Sequence, residues 1–265
     1  MAEAIFYVYG VVPAALDPAG APPGIEGSPV TVEREGALAA LLSCLDAEEL
    51  DTERIEARVG EVGWVGPRAI AHDAVLTWAS DAGSVVPLPM FALFSDVAAV
   101  RAMLRERADE LSRLLARVAA GQEYALRIFR LDDVLKGRMA ELSPRVAELE
   151  SAAQSASPGQ RYLLERKADA ARSAELREVS ARVAGETHAA LSQVALLAAT
   201  EPVATIDGGL AASVAVLNAF FLVARDDEQS FRSAVTDLAS THEPLGFRFD
   251  FTGPWPPYHF VRDPS

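Results

Sequence analysis

Cysteine is nearly absent from this sequence. The 265 residues include one, Cys44, so no internal disulfide is possible and a reducing, cytoplasmic setting fits. It lies in the apolar stretch LLSCLDAEEL, where it reads as a small buried hydrophobe rather than a nucleophile. Long apolar runs are missing as well, and none approaches the roughly 20 residues that span a bilayer. The opening MAEAIFYVYG puts no basic segment ahead of its apolar one, so no signal peptide is expected. Basic charge is in deficit: 24 Lys and Arg stand against 38 Asp and Glu, a formal net charge of −14. A surface this acidic repels phosphate backbones and anionic membrane surfaces, which argues against nucleic acid and membrane as partners.

The usual marks of catalysis are missing too. His72, His188, His242 and His259 lie far apart, and no HxxxH or CxxC spacing occurs. GxSxG, P-loop and GxGxxG patterns are all absent. His188 reads as an exposed or half-buried helix residue. The pairs Glu48–Glu49, Asp132–Asp133 and Asp226–Asp227 fall at expected helix starts, where acids complement the helix dipole. DGG at 207–209 reads as a turn, since a strand rather than a helix N-terminus follows it. Cys44 and His72 have no third group to orient them. We therefore expect no catalytic, cofactor or metal site, and a binding or structural role instead of an enzyme.

What is present alternates between strand and helix patterns. AIFYVYGVV is a β-rich run closed by Pro13 and the loop DPAGAPPGIEG. PVTVEREGALAALLSCL predicts a strand, a turn at Gly36, and a second strand or short helix. Asp46 to about Arg58 can be helical, with Asp51 or Thr52 as cap. HDAVLTWAS and SVVPLPMFALF read as a hairpin whose second arm, carrying Pro87 and Pro89, belongs at an edge. From Asp96, apolar residues at three- and four-residue spacings through Val118 predict one amphipathic helix capped by Asp96.

The second half is easier to read. QEYALRIFRL predicts a strand, with Tyr124, Leu126 and Ile128 on one face. Residues 132–156 read as helical, crossed by Pro144. SPG at 157–159 opens the longest helix, expected to run from 160 to 198. EPVATID predicts a strand, GG a turn, and ASVAVLNAFFLVA a central strand. Asp226 and Gln229 suggest a capping-box variant opening a helix that buries Phe231, Val235 and Leu238. GFRFDFT predicts a strand with Phe247, Phe249 and Phe251 on one face, ended by Gly253 and Pro254. This order, apart from the helical excursion, is that of a ferredoxin-like (split βαβ) domain: an antiparallel sheet with helices on one face. The expected class is α+β with two domains, an N-terminal α+β domain over 1–120 and a C-terminal ferredoxin-like domain over 121–253. A Pro- and aromatic-rich tail, 254–265, closes the chain.

Several stretches together carry a family resemblance. They are YVYGVV at 7–12, GIEG, VTVEREGALAALLS, HDAVL at 72–76, VVPLPMFALF at 85–94, LLARVAAGQEYALRI, SPGQRYLLERK at 157–167 and GFRFDFTGPWPPYHFV at 246–261. In this order they resemble the GvpF/GvpL family of gas vesicle accessory proteins. PLPMFALF differs from the PxxFGTVF-like run expected there, with Ala92 and Leu93 in place of a smaller, more polar pair. The resemblance implies a non-enzymatic protein of gas vesicle formation. It implies binding to the small, very hydrophobic shell protein, to other accessory proteins, or to both, and a location at the gas vesicle in the cytoplasm. Two other roles stay open: a minor structural component kept on the shell, and a small-molecule enzyme or sensor on the ferredoxin-like scaffold.

Seven residues stand out as candidates for a partner-binding or interdomain surface. Tyr162 and Arg166 lie four apart and share a helix face; they either stack on a partner, or Tyr162 packs on the core while Arg166 pairs with an acid. Trp255, Pro256, Pro257, Tyr258 and Phe260 form a stiff aromatic segment. It either folds back between the domains and buries Trp255, or serves as a preformed ligand for a partner groove.

Overall fold

The computed structural model describes residues 4–47, 50, 52–203 and 213–262. The chain divides into two compact units. Unit 1 holds Met1–Glu123 together with Pro254–Ser265, and unit 2 holds Tyr124–Gly253.

Unit 1 is built on β1 (Ala4–Pro13), which is buried at every position from Tyr7 to Val12. A strand buried on both faces needs cover on each side. β3 (Leu38–Asp46) pairs antiparallel with it from Ala4↔Asp46 to Pro13↔Leu38. β2 (Thr31–Glu35) joins β3 through the turn at Gly36, whose φ of 61° suits glycine. β4 (Val86–Pro87) and β5 (Leu93–Phe94) pair with the other edge of β1, giving the order β2-β3-β1-β4 with β5 also on β1. α1 (Thr52–Arg58) and α2 (Val62–Ala82) supply one cover, over a core of Tyr7, Tyr9, Val12, Leu41, Trp64 and Leu76. α3 (Val97–Glu106) and α4 (Ala108–Val118) supply the other, over Val8, Val11, Leu42, Val100 and Leu111. The register of β1 slips between Val8 and Gly10, which turns both Tyr9 and Gly10 toward α2. A Cβ on Gly10 would sit 2.8 Å from the Val86 carbonyl oxygen and 3.0 Å from Leu76 Cδ2, so only glycine fits.

Three expectations for this half change. Residues 72–80, read as a hairpin arm, lie inside α2; β4 and β5 pair with β1 instead. The helix from Asp96 breaks at Arg107 into α3 and α4. Its cap is as expected, with Asp96 Oδ1 accepting from the Ala99 amide at 2.7 Å, a bond worth about 1 kcal/mol to the helix. Cys44 is exposed, not buried. Even-numbered residues of β3 face α3 and α4, and that cover reaches Leu42 but not the residue two further on. Asp51 and the Glu48–Glu49 pair lie outside the described residues.

Unit 2 runs β6 (Gly121–Leu131), α5 (Asp132–Gly137), α6 (Met139–Leu142), α7 (Pro144–Ser155), α8 (Pro158–Ser192), β7 (Leu197–Thr200), β8 (Ser213–Ala224), α9 (Glu228–His242) and β9 (Phe247–Trp255). β6 begins in unit 1 and β9 ends in it. The sheet order is β7-β8-β6-β9. One core gathers Tyr124, Leu126 and Ile128 from β6, Val179 and Val183 from α8, Phe221 from β8, and Phe231 and Val235 from α9. Phe247, Phe249 and Phe251 pack on this core, Phe251 stacking on Tyr124 at 5.5 Å. Arg248 and Asp250 pair with each other at 3.0 and 3.1 Å. Pro144 does not interrupt a helix but opens α7, with Ser143 as its cap.

Here too the boundaries move. α8 stops at Ser192 rather than 198, because Leu196 to Thr200 pair with β8, in the register Leu197↔Leu222. The strand expected from 201 therefore lies earlier, and residues 204–212, including the DGG turn, fall outside the described residues. α9 starts after a short 3-10 turn at Arg225–Asp227, and no side chain caps it, so the capping-box reading fails. β9 continues through Gly253 and Pro254 to Trp255. It is an edge strand, where a missing amide donor costs the sheet no bond.

Candidate functional site

The tail expected to be distinctive builds a site within unit 1. Pro256, Pro257 and Phe260 are buried, and Tyr258 and His259 are half-buried. The Tyr258 amide donates to the Pro256 carbonyl at 2.7 Å and the Phe260 amide to the Pro257 carbonyl at 3.2 Å, so the segment is a tight turn. Its polar atoms reach partners far away in sequence. The Tyr258 hydroxyl donates to Asp73 Oδ1 at 2.9 Å. His259 holds Glu123 twice: its amide donates to Oε2 at 2.9 Å, and its Nδ1 lies 2.6 Å from Oε1. Glu123 is 1% exposed, so this carboxylate depends on those donors.

Next to Asp73, α2 places His72 against β1. The Tyr7 hydroxyl lies 2.7 Å from His72 Nδ1 and accepts from the Phe91 amide at 3.2 Å. The neutral imidazole has one N–H, which its backbone bond to Leu88 uses, so Nδ1 accepts from the Tyr7 hydroxyl. Burial pushes His72 down to about 4, against the opposing pull of Asp73 and a backbone bond to Leu88. Burial likewise pushes Tyr7 well above the ordinary tyrosine value, and Tyr258 too, the latter helped by Asp73. Tyr7, His72 and Tyr258 are therefore all neutral near pH 7. Phe91 completes it with a φ of 64°, a conformation a bulky side chain rarely holds. Its ring stacks on Trp64 at 5.5 Å.

A second knot lies beside the first. The Tyr9 hydroxyl bonds Ser43 Oγ at 2.9 Å and accepts from the Ile25 amide at 2.9 Å, while Ser43 donates to the Pro29 carbonyl at 3.0 Å. A Cβ on Gly24 would lie 2.1 Å from the Tyr9 oxygen, so the loop passes here only as glycine. Ser43 thus belongs to this knot, while its neighbour Cys44 faces the other way and does not meet His72.

A cleft of about 700 Å³ opens over these groups, lined by His72, Asp73, Leu88, Met90, Arg107 and Tyr258. Arg107 on its rim is clamped by Glu110 at 2.8 and 2.9 Å, and that guanidinium holds the Glu110 carboxyl below its ordinary value. His72 and Tyr7 bond each other, and Tyr258 and His259 tie the tail to Asp73 and Glu123. Among the described residues, no group of three or more His, Cys, Asp or Glu side chains is placed to hold a metal ion. No described helix is long and apolar enough to cross a membrane.

The remaining candidates are placed differently. Trp255 is 40% exposed at the end of β9, so it is not buried as the fold-back reading expects. Tyr162 is 60% exposed and Arg166 is exposed, both near the start of α8, so Tyr162 does not pack on the core. α8 packs on α7, and the residues buried there include Ala153 of α7 and Ala168 and Ala171 of α8, while Tyr162 and Leu163 stay outside. Sequence reasoning missed Tyr7, Ser43, Asp73 and Glu123 as parts of a site. No local signal marks them, since their partners lie 14 to 185 residues away.

Comparison with known proteins agrees across the chain. A family model described as "Gas vesicle synthesis protein GvpL/GvpF" matches residues 5–262. Gas vesicle protein L of Streptomyces sp. (strain CB03234) is 30% identical over 239 residues, covering 90% of this chain and 85% of that protein. Gas vesicle protein F of the same organism is 29% identical, covering 97% and 99%. The crystal structure of GvpF from Anabaena sp. PCC7120 superposes with a TM-score of 0.67 at 16% identity, covering 99% and 98% of the two chains. GvpF from Microcystis aeruginosa gives a TM-score of 0.67 at 17% identity, covering 97% and 99%. At such identities these structures speak for a shared fold.

Proposed function

Because the chain belongs to the gas vesicle synthesis family GvpL/GvpF, we propose that it is a non-enzymatic accessory protein of gas vesicle formation. It acts by binding the hydrophobic shell protein, other accessory proteins, or both, during assembly at the vesicle in the cytoplasm. The family match over residues 5–262, nearly the whole chain, carries this reading. A nascent shell subunit exposes apolar surface that aggregates unless it is held, and a strongly acidic, soluble holder suits that task. The buried polar groups of unit 1 support a non-catalytic role, since Tyr7, His72, Asp73 and Glu123 are all used to hold chain segments.

The two units are read here as two domains. The second is read as a modified ferredoxin-like domain, on its β-α-β-β-α-β order and its sheet order β7-β8-β6-β9. α8 and α9 touch each other and both touch β8, in keeping with helices on one face. The tail, with Tyr258 and Phe260, is read as a fixed part of the first domain. Trp255, and Tyr162 and Arg166 on α8, are the chain's candidates for contact with partners.

Co-production of the tagged chain with the shell protein tests this reading. The shell protein should be captured at low and moderate salt. Capture of neither the shell protein nor any other accessory protein of the same vesicle system overturns the reading.

A further inference from the structure

The outer side of α2 is apolar and bare. Val62 is 84% exposed and Ile70 73%. Gly63 and Pro67 are exposed with them and Gly66 is half-buried, all within one stripe along the helix. Val59, in the turn before the helix, is 54% exposed. Arg68 is the one charged residue from 62 to 72, and it is already engaged. Its guanidinium lies 4.2 Å from the centre of the Trp64 ring and pairs with Glu26. From Val62 to Ala71, Arg68 apart, α2 is therefore apolar on all sides, a pattern that goes with cover on all sides. Within unit 1 the covered side is the one carrying Trp64, His72, Val75, Leu76 and Ala79.

Glycine adds a second observation. A Cβ on Gly63 would meet nothing within 4 Å, so packing within this chain does not call for glycine there. Yet glycine weakens a helix relative to alanine. Gly66 has a local reason, since a side chain just before a proline resists the helical conformation. Gly63 has none.

We propose that this stripe seats an uncharged, apolar segment of a partner protein, packed closely over Gly63. Resting on the reading above, that partner is the shell protein. Arg58 and Glu61, at the Val59 end, pair with each other at 3.1 Å, and from Val62 to Ile70 a charged segment would lose its water with no free charge to meet it. A second copy of this chain fits less well. The stripe offers six residues, Val59, Val62, Gly63, Gly66, Pro67 and Ile70, where a stable dimer needs roughly 20–30 a side. Two chains of net charge −14 also repel each other. One extended or helical segment of a small apolar protein matches the footprint.

The test uses the full chain, tagged and co-produced with the shell protein, beside the double variant Val62→Glu/Ile70→Glu and the single variant Gly63→Ala. Both positions of the double variant are exposed, and an acid at Val62 opens the helix favourably. It should melt as the native chain does and capture at least about tenfold less shell protein, as expected when unpaired charge enters an apolar contact. Gly63→Ala should melt slightly higher and still capture less. If the double variant folds and captures as much as the native chain, the stripe is not the seat. If it melts low, Gly63→Ala decides, and undiminished capture by that variant overturns the proposal. If the native chain captures no shell protein, this inference is overturned, and the reading above falls with it only when no other accessory protein of the same vesicle system is captured either. If the native chain sediments as a dimer and the double variant as a monomer, the occupant is a second copy and the proposal is wrong.

Discussion

A neutral histidine sits at the centre of unit 1, and its neutrality has a price in acid. Folded, His72 takes a proton only near pH 4, while in the unfolded chain it does so near 6.5. Between those values the unfolded chain binds more protons. The contribution of His72 is therefore whole above about pH 6.5 and is lost as pH falls toward 4. The full span is about 3 kcal/mol. Melting measured from pH 7.5 down to 4 should fall more steeply for the native chain than for His72→Gln, and equal slopes would refute the assignment. His242 on α9 is lowered by burial as well, with Arg182 acting in the same direction and Glu186 against it. It adds acid sensitivity of the same sign to both proteins, so the comparison isolates His72.

Among the elements, the C-terminal turn shows how far a short segment can matter. Ending the chain after Trp255 removes both donors to Glu123 and the hydroxyl on Asp73, and it uncovers the surface beneath Phe260. An unpaired buried carboxylate alone costs about 3–5 kcal/mol. The truncated chain should melt roughly 10 °C lower, and calorimetry showing an unchanged melt would contradict this role. β1, β6, β8 and β9 were legible because they carry dense β-branched and aromatic runs. α2 was not, for the reason that makes its outer side notable. Apolar residues on all sides leave no helical period, and Gly63, Gly66 and Pro67 imitate a loop. The end of α8 was missed because its Ala- and Leu-rich run suits helix and strand alike; pairing with β8 decided it. The polar cluster was invisible because each bond joins distant segments.

The molecule as a whole holds separate cores, and its tryptophans are unevenly shared. Trp64, Trp78 and Trp255 all fall in unit 1, while the 35-residue α8 falls in unit 2. Tryptophan fluorescence therefore follows unit 1, and far-ultraviolet circular dichroism weighs heavily toward unit 2. If the units unfold as separate domains, urea transitions followed by the two signals should not coincide, and superimposable curves would show one cooperative body. Unit 2 is a single continuous stretch, but unit 1 is closed by residues that follow unit 2 in the chain. That order matters on the ribosome, where a protein emerges from its N-terminus. Residues 124–253 can complete their core as they appear. The first 123 residues must wait, with Asp73 and Glu123 unmatched, until Tyr258 and His259 leave the exit tunnel. A chain whose synthesis stops early is thus left with an open unit 1, a form that proteases can recognise and clear.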